Sequence, residues 1–292
     1  MYNLANVYKK GVGIEQDLKK SFELFEKSAK LGYEKSISEL AIFYNNGIFV
    51  KQDYNKAKEL YEKACESGVS EAMNNLSLMY LFGQGVEKNE EKFLFYIKKS
   101  AELSNGFALN NLGLLYLSGI TVEKNIEKSI EYFQKSCDVG NSIAMYHLSE
   151  FYLNGEHVKR DVNKGMELLN QSSNLSNVNA TEKLASIYQN PTLFGLTEIQ
   201  KDLKKSANIY LKLIPFETVS TSYCTKLKSI LSSKEIEWNY KFHKYWISST
   251  PNLNSTVLLL LLISRFRPKS CHFLVRGIVF KIIKFTCHFL QK

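Results

Sequence analysis

Apolar and polar positions recur along this chain with a period of 36 residues. Within residues 70–82, Ala72, Met73, Leu76, Ser77 and Tyr80 fall on one stripe at about 100° per residue, the spacing of a buried helix face. The same register holds six tyrosines, each four residues after a leucine: Tyr8, Tyr44, Tyr80, Tyr116, Tyr152 and Tyr188. We therefore predict one helix, helix A, at the same place in six successive copies.

A second helix, helix B, follows in each copy. Three residues after the tyrosine stands a glycine, the residue that most readily takes the left-handed conformation ending a helix: Gly11, Gly47, Gly83, Gly119 and Gly155. An Asp or Asn then precedes helix B, where its side chain would accept hydrogen bonds from free amides: Asp17, Asp53, Asn89, Asn125 and Asp161. Each copy thus predicts a helical hairpin.

Repeats of this size indicate a solenoid, because one hairpin cannot bury its own apolar face and stacked hairpins share a continuous core. The predicted fold is all-α, an α-solenoid of about six 36-residue repeats. We assign residues 1–213 to the solenoid, 214–249 to capping helices and 250–292 to a basic hydrophobic tail. Such an extended surface favours a binding function over a catalytic one.

Composition and charge narrow the partners. A chain that is 45% hydrophobic and 23% charged is typical of a folded soluble protein. All 29 acidic residues and 29 of the 38 basic ones precede residue 238, so the solenoid is neutral and the tail is basic. A neutral solenoid is not expected to bind nucleic acid. Five cysteines without local pairing and no signal-like start predict a reducing compartment, and hence a cytoplasmic protein.

Two segments carry a family resemblance. Residues 72–89, AMNNLSLMYLFGQGVEKN, and residues 108–140, ALNNLGLLYLSGITVEKNIEKSIEYFQKSCDVG, resemble the Sel-one-like repeat, a relative of the tetratricopeptide repeat. The resemblance covers residues 1–213. It implies a right-handed superhelix of paired helices that serves as an adaptor or scaffold in protein complexes.

The copies depart from the pattern in two places. A second loop glycine is kept at Gly13 and Gly85 but replaced by Phe49, Thr121 and His157, so those three loops are expected to differ in conformation. In the sixth copy, Asn190–Pro191 takes the place of the glycine, and the capping aspartate, Asp202, comes five residues late. We interpret this as the end of the array.

Catalysis and metal binding are not expected. One cysteine-rich branch of the family, some members of which are described as binding or hydrolysing β-lactams, pairs two cysteines eight residues apart. Here Cys65 and Cys137 match the first position but Met73 and Met145 occupy the second, so both thiols are interpreted as buried helix residues. No Ser stands three residues before a Lys, and no His-Glu-x-x-His occurs. No catalytic residue, metal ligand or cofactor is predicted.

A partner protein or peptide is expected on the concave face that helix A lines in tetratricopeptide-like superhelices. Middle copies place apolar and amide side chains at the positions pointing away from the buried stripe. The predicted partner-binding residues are Ile42, Asn74, Leu78, Leu81, Phe82, Asn110, Leu114, Leu117, Tyr146 and His147. Two alternatives stay open: the leucines pack against the neighbouring helix A, or the asparagines hydrogen-bond between adjacent repeats.

The tail supports three interpretations. Residues 273–290 place Arg276, Lys281 and Lys284 on one side of a helical wheel with apolar residues opposite. This is the pattern of a basic amphipathic helix on an anionic membrane surface or in a partner's groove. This gives the second hypothesis, a membrane-associated scaffold. A second interpretation of the tail itself is ordinary capping structure. The third is a misread gene model, which the abrupt start inside the first helix A also fits.

Overall fold

The computed structural model describes residues 1–211, and these form twelve α-helices and one short 3₁₀ helix without any strand. The predicted capping helices at 214–249 and the basic tail with Arg276, Lys281 and Lys284 lie outside the described residues. Among residues 1–211, none of the helices combines the length and apolar character needed to cross a bilayer. The all-α prediction is confirmed.

The helices alternate as predicted between helix A and helix B. The A helices are α1 Tyr2–Lys10, α3 Glu34–Asn46, α5 Ser70–Phe82, α7 Gly106–Ser118, α9 Ser142–Asn154 and α11 Val178–Gln189. The B helices are α2 Leu18–Lys30, α4 Tyr54–Glu66, α6 Glu90–Glu102, α8 Ile126–Asp138, α10 Val162–Asn174 and α12 Leu203–Leu211. The bounds of α5 coincide with the helix predicted from periodicity.

The chain divides into two compact units, residues 1–159 and a second unit that begins at Arg160. In the first unit, each helix from α1 to α8 packs against the next along the chain, so that α9 is the last helix of this series. In the second, α11 packs against α10, α12 and the 3₁₀ helix Pro191–Phe194. Packing of consecutive helices within each unit is that of an α-solenoid.

Helix A ends at the predicted glycines. Gly11, Gly47, Gly83, Gly119 and Gly155 all have φ between 65° and 73°. Helix B begins where an Asp or Asn accepts a hydrogen bond from an amide three residues on, at 2.8–3.0 Å for Asp17, Asp53, Asn89, Asn125 and Asp161. Both capping predictions are confirmed.

The leucines of the helix A stripe are buried as expected in every copy but the first, whereas Tyr80 is the only one of the six repeated tyrosines that is fully buried. Leu40, Leu76, Leu112, Leu148 and Leu184 are each at most 6% exposed, whereas Leu4 in the first helix is 49% exposed. The small residue next in sequence is buried in every copy. At Gly113 an added Cβ would lie 2.7 Å from a ring carbon of Phe133, so a larger residue there would push α7 and α8 apart.

Loop conformation departs from expectation in two of three cases. Phe49 and His157 keep the left-handed φ of Gly13 and Gly85, at 63° and 62°. The prediction that these two loops differ is therefore wrong in that torsion. Thr121 alone of the three has no positive φ. The Phe49 ring packs 5.7 Å from the Phe22 ring, a contact that glycine would not provide.

Candidate functional site

The helix A side of the first unit contains a cleft of about 240 Å³. Side chains from α1, α3 and α5 and from the start of α7 line it, together with residues just before α5 and α7. Its apolar lining residues are Tyr2, Ile42, Val69 and Phe107, and its polar ones are Lys35, Ser38, Glu39, Glu71, Asn74, Asn75 and Asn105. We call this the helix A cleft.

The repeat register explains why these residues meet. Lys35, Glu71 and Phe107 occupy the same position in three successive A helices, as do Ser38 and Asn74 one turn later. Because each A helix has equivalent bounds in its repeat, residues of one register lie side by side across the A face. The cleft therefore follows from the periodicity, although no single copy contains it.

Asparagine amides join the A helices around the cleft. Asn111 Nδ2 donates to Asn74 Oδ1 at 3.3 Å, and Asn74 Nδ2 donates to Asn75 Oδ1 at 3.3 Å. Asn105 accepts from the Ala108 amide at 3.0 Å, capping α7. The alternative that asparagines bond between adjacent repeats is thus observed for the pair Asn74 and Asn111.

Two polar residues of the cleft differ in whether their side chains have a bonding partner. Glu39 pairs with Lys9 of α1 at 2.7 Å, which ties the first two A helices together. Ser38 is 4% exposed, and its Oγ has no hydrogen-bond partner among residues 1–211. Nearby Ser36 is also buried, but its Oγ donates to Ser28 Oγ at 2.8 Å. Ser38 is therefore a buried hydroxyl that lines a cleft and has unused bonding capacity.

The residues predicted from sequence are only partly brought together. Ile42 and Asn74 line the helix A cleft. Asn74 and Asn110 are 6% and 3% exposed, which corrects the expectation that they present open side chains to a partner. For Asn74, the neighbouring A helix contributes to this burial, because Asn111 donates to its Oδ1. Leucines of α5 and α7 are half-buried, neither fully packed nor free: Leu78, Leu81, Leu114 and Leu117.

Phe82 is the most exposed residue of the predicted set, at 60%. Tyr146 and His147 are half-buried on α9 and do not line the cleft. The His147 ring lies 5.3 Å from the Phe133 ring, and burial lowers the pKa of its imidazole while Glu150 opposes that shift. His147 is thus a packed side chain that favours its neutral form.

The thiols lie within the helices. Cys137 is buried and Cys65 is half-buried, and neither is in a disulfide. Burial raises the pKa of each thiol to about 12, so both stay protonated near neutral pH. Over residues 1–211, no group of three or more His, Cys, Asp or Glu side chains is placed to hold a metal ion.

Sequence reasoning missed several cleft residues. Phe107 is 56% exposed and stands just before the buried stripe of α7, outside the positions that the prediction considered. Tyr2 is the first residue of α1 and was not considered either. The sequence did contain a signal for Phe107. Lys35, Glu71 and Phe107 are equivalent positions in three copies, and comparing them shows an aromatic residue where the two preceding copies have a charged one.

Comparison with known proteins agrees with the geometry. The family model described as the Sel1 repeat matches residues 1–33, 35–69, 70–105, 106–141 and 142–177, more than half of the chain. Each match corresponds to one of the first five helix pairs described above. None of the curated proteins compared matches the chain.

Solved structures with the same fold include bacterial repeat proteins. A Sel1 repeat protein from Oxalobacter formigenes is 24% identical over 73% of this chain and 84% of its own, with a TM-score of 0.60. The protective antigen c5321 of uropathogenic Escherichia coli, which displays an SLR fold, is 25% identical over 92% of this chain, with a TM-score of 0.55. This chain spans 57% of that antigen.

A third structure is the immunity protein Pa5087 from Pseudomonas aeruginosa, 21% identical over 74% of this chain and 88% of its own, with a TM-score of 0.54. Three likenesses of this kind support the fold. The five matched repeats go further, because they carry the register of tyrosine, glycine and capping residue along the chain. The chain therefore belongs to the Sel1 repeat family.

Proposed function

We propose that this protein is a non-catalytic adaptor that binds a partner protein or peptide on the helix A face of residues 1–159. Sel1 repeat proteins generally act as protein-interaction adaptors. The finer proposal concerns which face is used. It rests on one observation, the cleft that crosses successive A helices and is walled by the exposed ring of Phe107.

Exposure on the A face supports this choice. Phe107 and Phe82 belong to neighbouring A helices, and both rings are more than half exposed, at 56% and 60%. An exposed aromatic ring beside a concave site is the type of side chain that dominates binding energy in protein interfaces. The amides of Asn75 and Asn111 lie on the same helices and are only partly buried.

A non-catalytic function fits the chemistry of the thiols. A cysteine nucleophile needs a thiolate, and the pKa values of Cys65 and Cys137, raised to about 12, leave almost none near neutral pH. His147, the histidine that could act as a base, packs instead on the ring of Phe133. Cys65, Cys137 and His147 therefore serve packing.

Comparative affinity capture tests the proposed face. Full-length protein is immobilised in three forms: wild type, the double variant Phe82→Ser with Phe107→Ser, and the single variant Phe95→Ser. Phe95 is the matched control because it is 51% exposed but lies on a B helix, α6. Captured proteins are quantified by mass spectrometry, and folding of each variant is checked by circular dichroism.

The expected result is a set of captured proteins that the double variant loses and the Phe95→Ser variant retains. Truncating two interface aromatics should weaken binding by about tenfold or more, because such anchors each contribute roughly 1–2 kcal/mol or more. Equal capture by wild type and the double variant, or selective loss with Phe95→Ser, would show that the A face is not the docking surface.

A further inference from the structure

The size of the helix A cleft limits what it can hold. Its volume is about 240 Å³. A cavity of about 150 Å³ already accepts benzene, so this cleft has room for one aromatic or long aliphatic side chain. A helix about 10 Å across, as main chain and side chains together, would not fit inside it. The cleft therefore matches a single anchor side chain.

The walls of the cleft are chemically mixed. Tyr2, Ile42, Val69 and Phe107 supply apolar surface from separate parts of the repeat array. The Tyr2 ring is held in place by rings at 4.9 Å and 5.7 Å, those of Tyr33 and Phe25. An apolar side chain entering the cleft would remove these surfaces from water, which favours binding by roughly 25 cal/mol per Å².

Charge around the cleft balances. Glu39 is neutralised by Lys9 at 2.7 Å, and the remaining charged lining residues are one cation, Lys35, and one anion, Glu71. Lys35 and Glu71 occupy the same register on adjacent A helices. A charged side chain would gain little from such a site and would lose its hydration. An uncharged anchor is favoured.

Ser38 adds a requirement for a polar group next to the anchor. Its Oγ is buried and without a partner among residues 1–211, although a buried polar group normally forms a hydrogen bond. A hydroxyl both donates and accepts, so a main-chain amide or carbonyl of a ligand would satisfy it. Main-chain groups inside a helix already bond to each other, so the ligand segment offering one is extended.

We propose that the helix A cleft receives one bulky, uncharged apolar side chain from an extended segment of the partner, with the Ser38 hydroxyl bonding to the main chain of that segment. This rests on the proposed adaptor function and specifies the chemistry of its ligand. Phe107 and Ser38 are the residues on which recognition depends. Phe107 contributes exposed apolar surface to the cleft, and Ser38 contributes the buried polar group.

A phage-displayed library of short random peptides provides the probe. Peptides are selected on the full-length protein, synthesised with a fluorophore, and titrated by fluorescence anisotropy. Two pairs of variants are compared. Phe107→Ala is matched with Phe95→Ala, and Ser38→Ala with Ser129→Ala, because Ser129 Oγ is also buried and without a partner among residues 1–211 but lies on the B helix α8.

Selected peptides are expected to share one aromatic or long aliphatic residue whose replacement by alanine weakens binding by about tenfold or more. Phe107→Ala should weaken the same peptides by about tenfold. Loss of one neutral hydrogen bond in Ser38→Ala should weaken them by about threefold to tenfold. The control variants should bind within about twofold of wild type.

Two results would overturn the inference and leave the adaptor function standing. One is that the selected peptides depend on charged residues. The other is that they bind normally to Phe107→Ala and Ser38→Ala but are lost with Phe82→Ala, which would place the ligand elsewhere on the A face. Selection of no binding peptide, or loss of binding with Phe95→Ala alone, would count against the adaptor function as well.

Discussion

At the scale of single residues, a lysine from helix B lies over the ring of the helix A tyrosine in five of the helix pairs. The Nζ to ring-centroid distances are 5.3, 4.8, 5.0, 5.3 and 4.1 Å for Lys20 on Tyr8, Lys56 on Tyr44, Lys92 on Tyr80, Lys128 on Tyr116 and Lys205 on Tyr188. Each of these lysines stands three residues after the Asp or Asn that caps helix B, a regular position in the sequence that does not by itself reveal the contact. A contact between two registers depends on the crossing of the helices, which periodicity does not give.

The lysine over Tyr80 provides a direct test of this contact. Lys92→Met keeps a long side chain but removes the charge, so it should lower the free energy of unfolding by about 0.5–1 kcal/mol, the range of an exposed cation–π pair. Urea denaturation measures the change. Lys98→Met, an exposed position on the same helix, is the control. Equal stability of the two variants would show that the ring contact contributes nothing.

The turn from helix B to the next helix A contains a backbone position at which residue type matters. Gly68 has φ 80° there and nothing within 4 Å of an added Cβ, whereas Ser104 occupies the equivalent position at φ 58°. Left-handed φ costs a residue with a Cβ about 1 kcal/mol. Ser104→Gly should therefore stabilise the protein by about that amount, and Gly68→Ser should destabilise it similarly. Thermal denaturation showing shifts of the opposite sign would refute this.

His147 predicts a pH dependence of stability. Burial lowers the pKa of its imidazole in the folded protein, so below the ordinary value of about 6.5 the unfolded chain binds a proton more readily. The free energy of unfolding should then decrease as pH falls below that value. His147→Gln should reduce the difference between urea midpoints measured near pH 7.5 and near pH 5.5. An unchanged difference in the variant would rule out His147 as its source.

At the scale of elements, helix ends followed from the sequence more completely than loops did. Gly83 and Asn89 each act through their own backbone or the next turn, so local pattern was sufficient. Ser100 and Ser136 were missed. Their Oγ atoms donate at 2.7 Å to carbonyls of Ser70 and Gly106, thirty residues earlier, which joins the end of helix B to the start of helix A. Such bonds depend on tertiary packing.

The sixth helix pair shows how an insertion is absorbed. Asp202 still accepts from the Lys205 amide at 2.9 Å, and its own amide donates to the Tyr188 carbonyl at 2.9 Å. Asp53 and Tyr44 make the same backbone bond at 2.9 Å in the second copy. The five additional residues therefore lengthen the loop but leave the backbone hydrogen bond between the helix B cap and the helix A tyrosine unchanged. Helices α11 and α12 form a pair beyond the five matched repeats.

An arginine holds that lengthened loop. Arg160 donates to both carboxylate oxygens of Glu198, at 2.6 and 3.3 Å, and to the Gly195 carbonyl at 2.9 Å. Arg160→Ala should increase amide hydrogen exchange in residues 191–200 while leaving α12 protected, because the capping bond of Asp202 is independent of the arginine. Mass-spectrometric hydrogen exchange would detect this. Unchanged exchange in the loop would show that the contacts of Arg160 with Glu198 and Gly195 do not order it.

At the scale of the molecule, the repeat converts one local pattern into a surface. Lys35, Glu71 and Phe107 are distant in sequence, and only the stacking of equal hairpins brings them to one cleft. Fold class was predictable because each copy repeats the same signals. The site was predictable only in part, since exposure at Asn74, Leu78 or Phe107 depends on how closely neighbouring A helices approach. Surface residues also differ from copy to copy, whereas the capping positions vary little: a glycine ends helix A in five copies, and an Asp or Asn precedes helix B in all six.

Site-specific photo-crosslinking in cells tests the docking face most directly. A benzophenone amino acid replaces Phe107 on helix A in one protein and Phe95 on helix B in another, two positions of similar exposure. Crosslinked complexes are resolved by electrophoresis and compared for yield. We predict a discrete partner adduct from position 107 and little or none from position 95. Adducts of equal or greater yield from position 95 would contradict the assignment of partner binding to the helix A face.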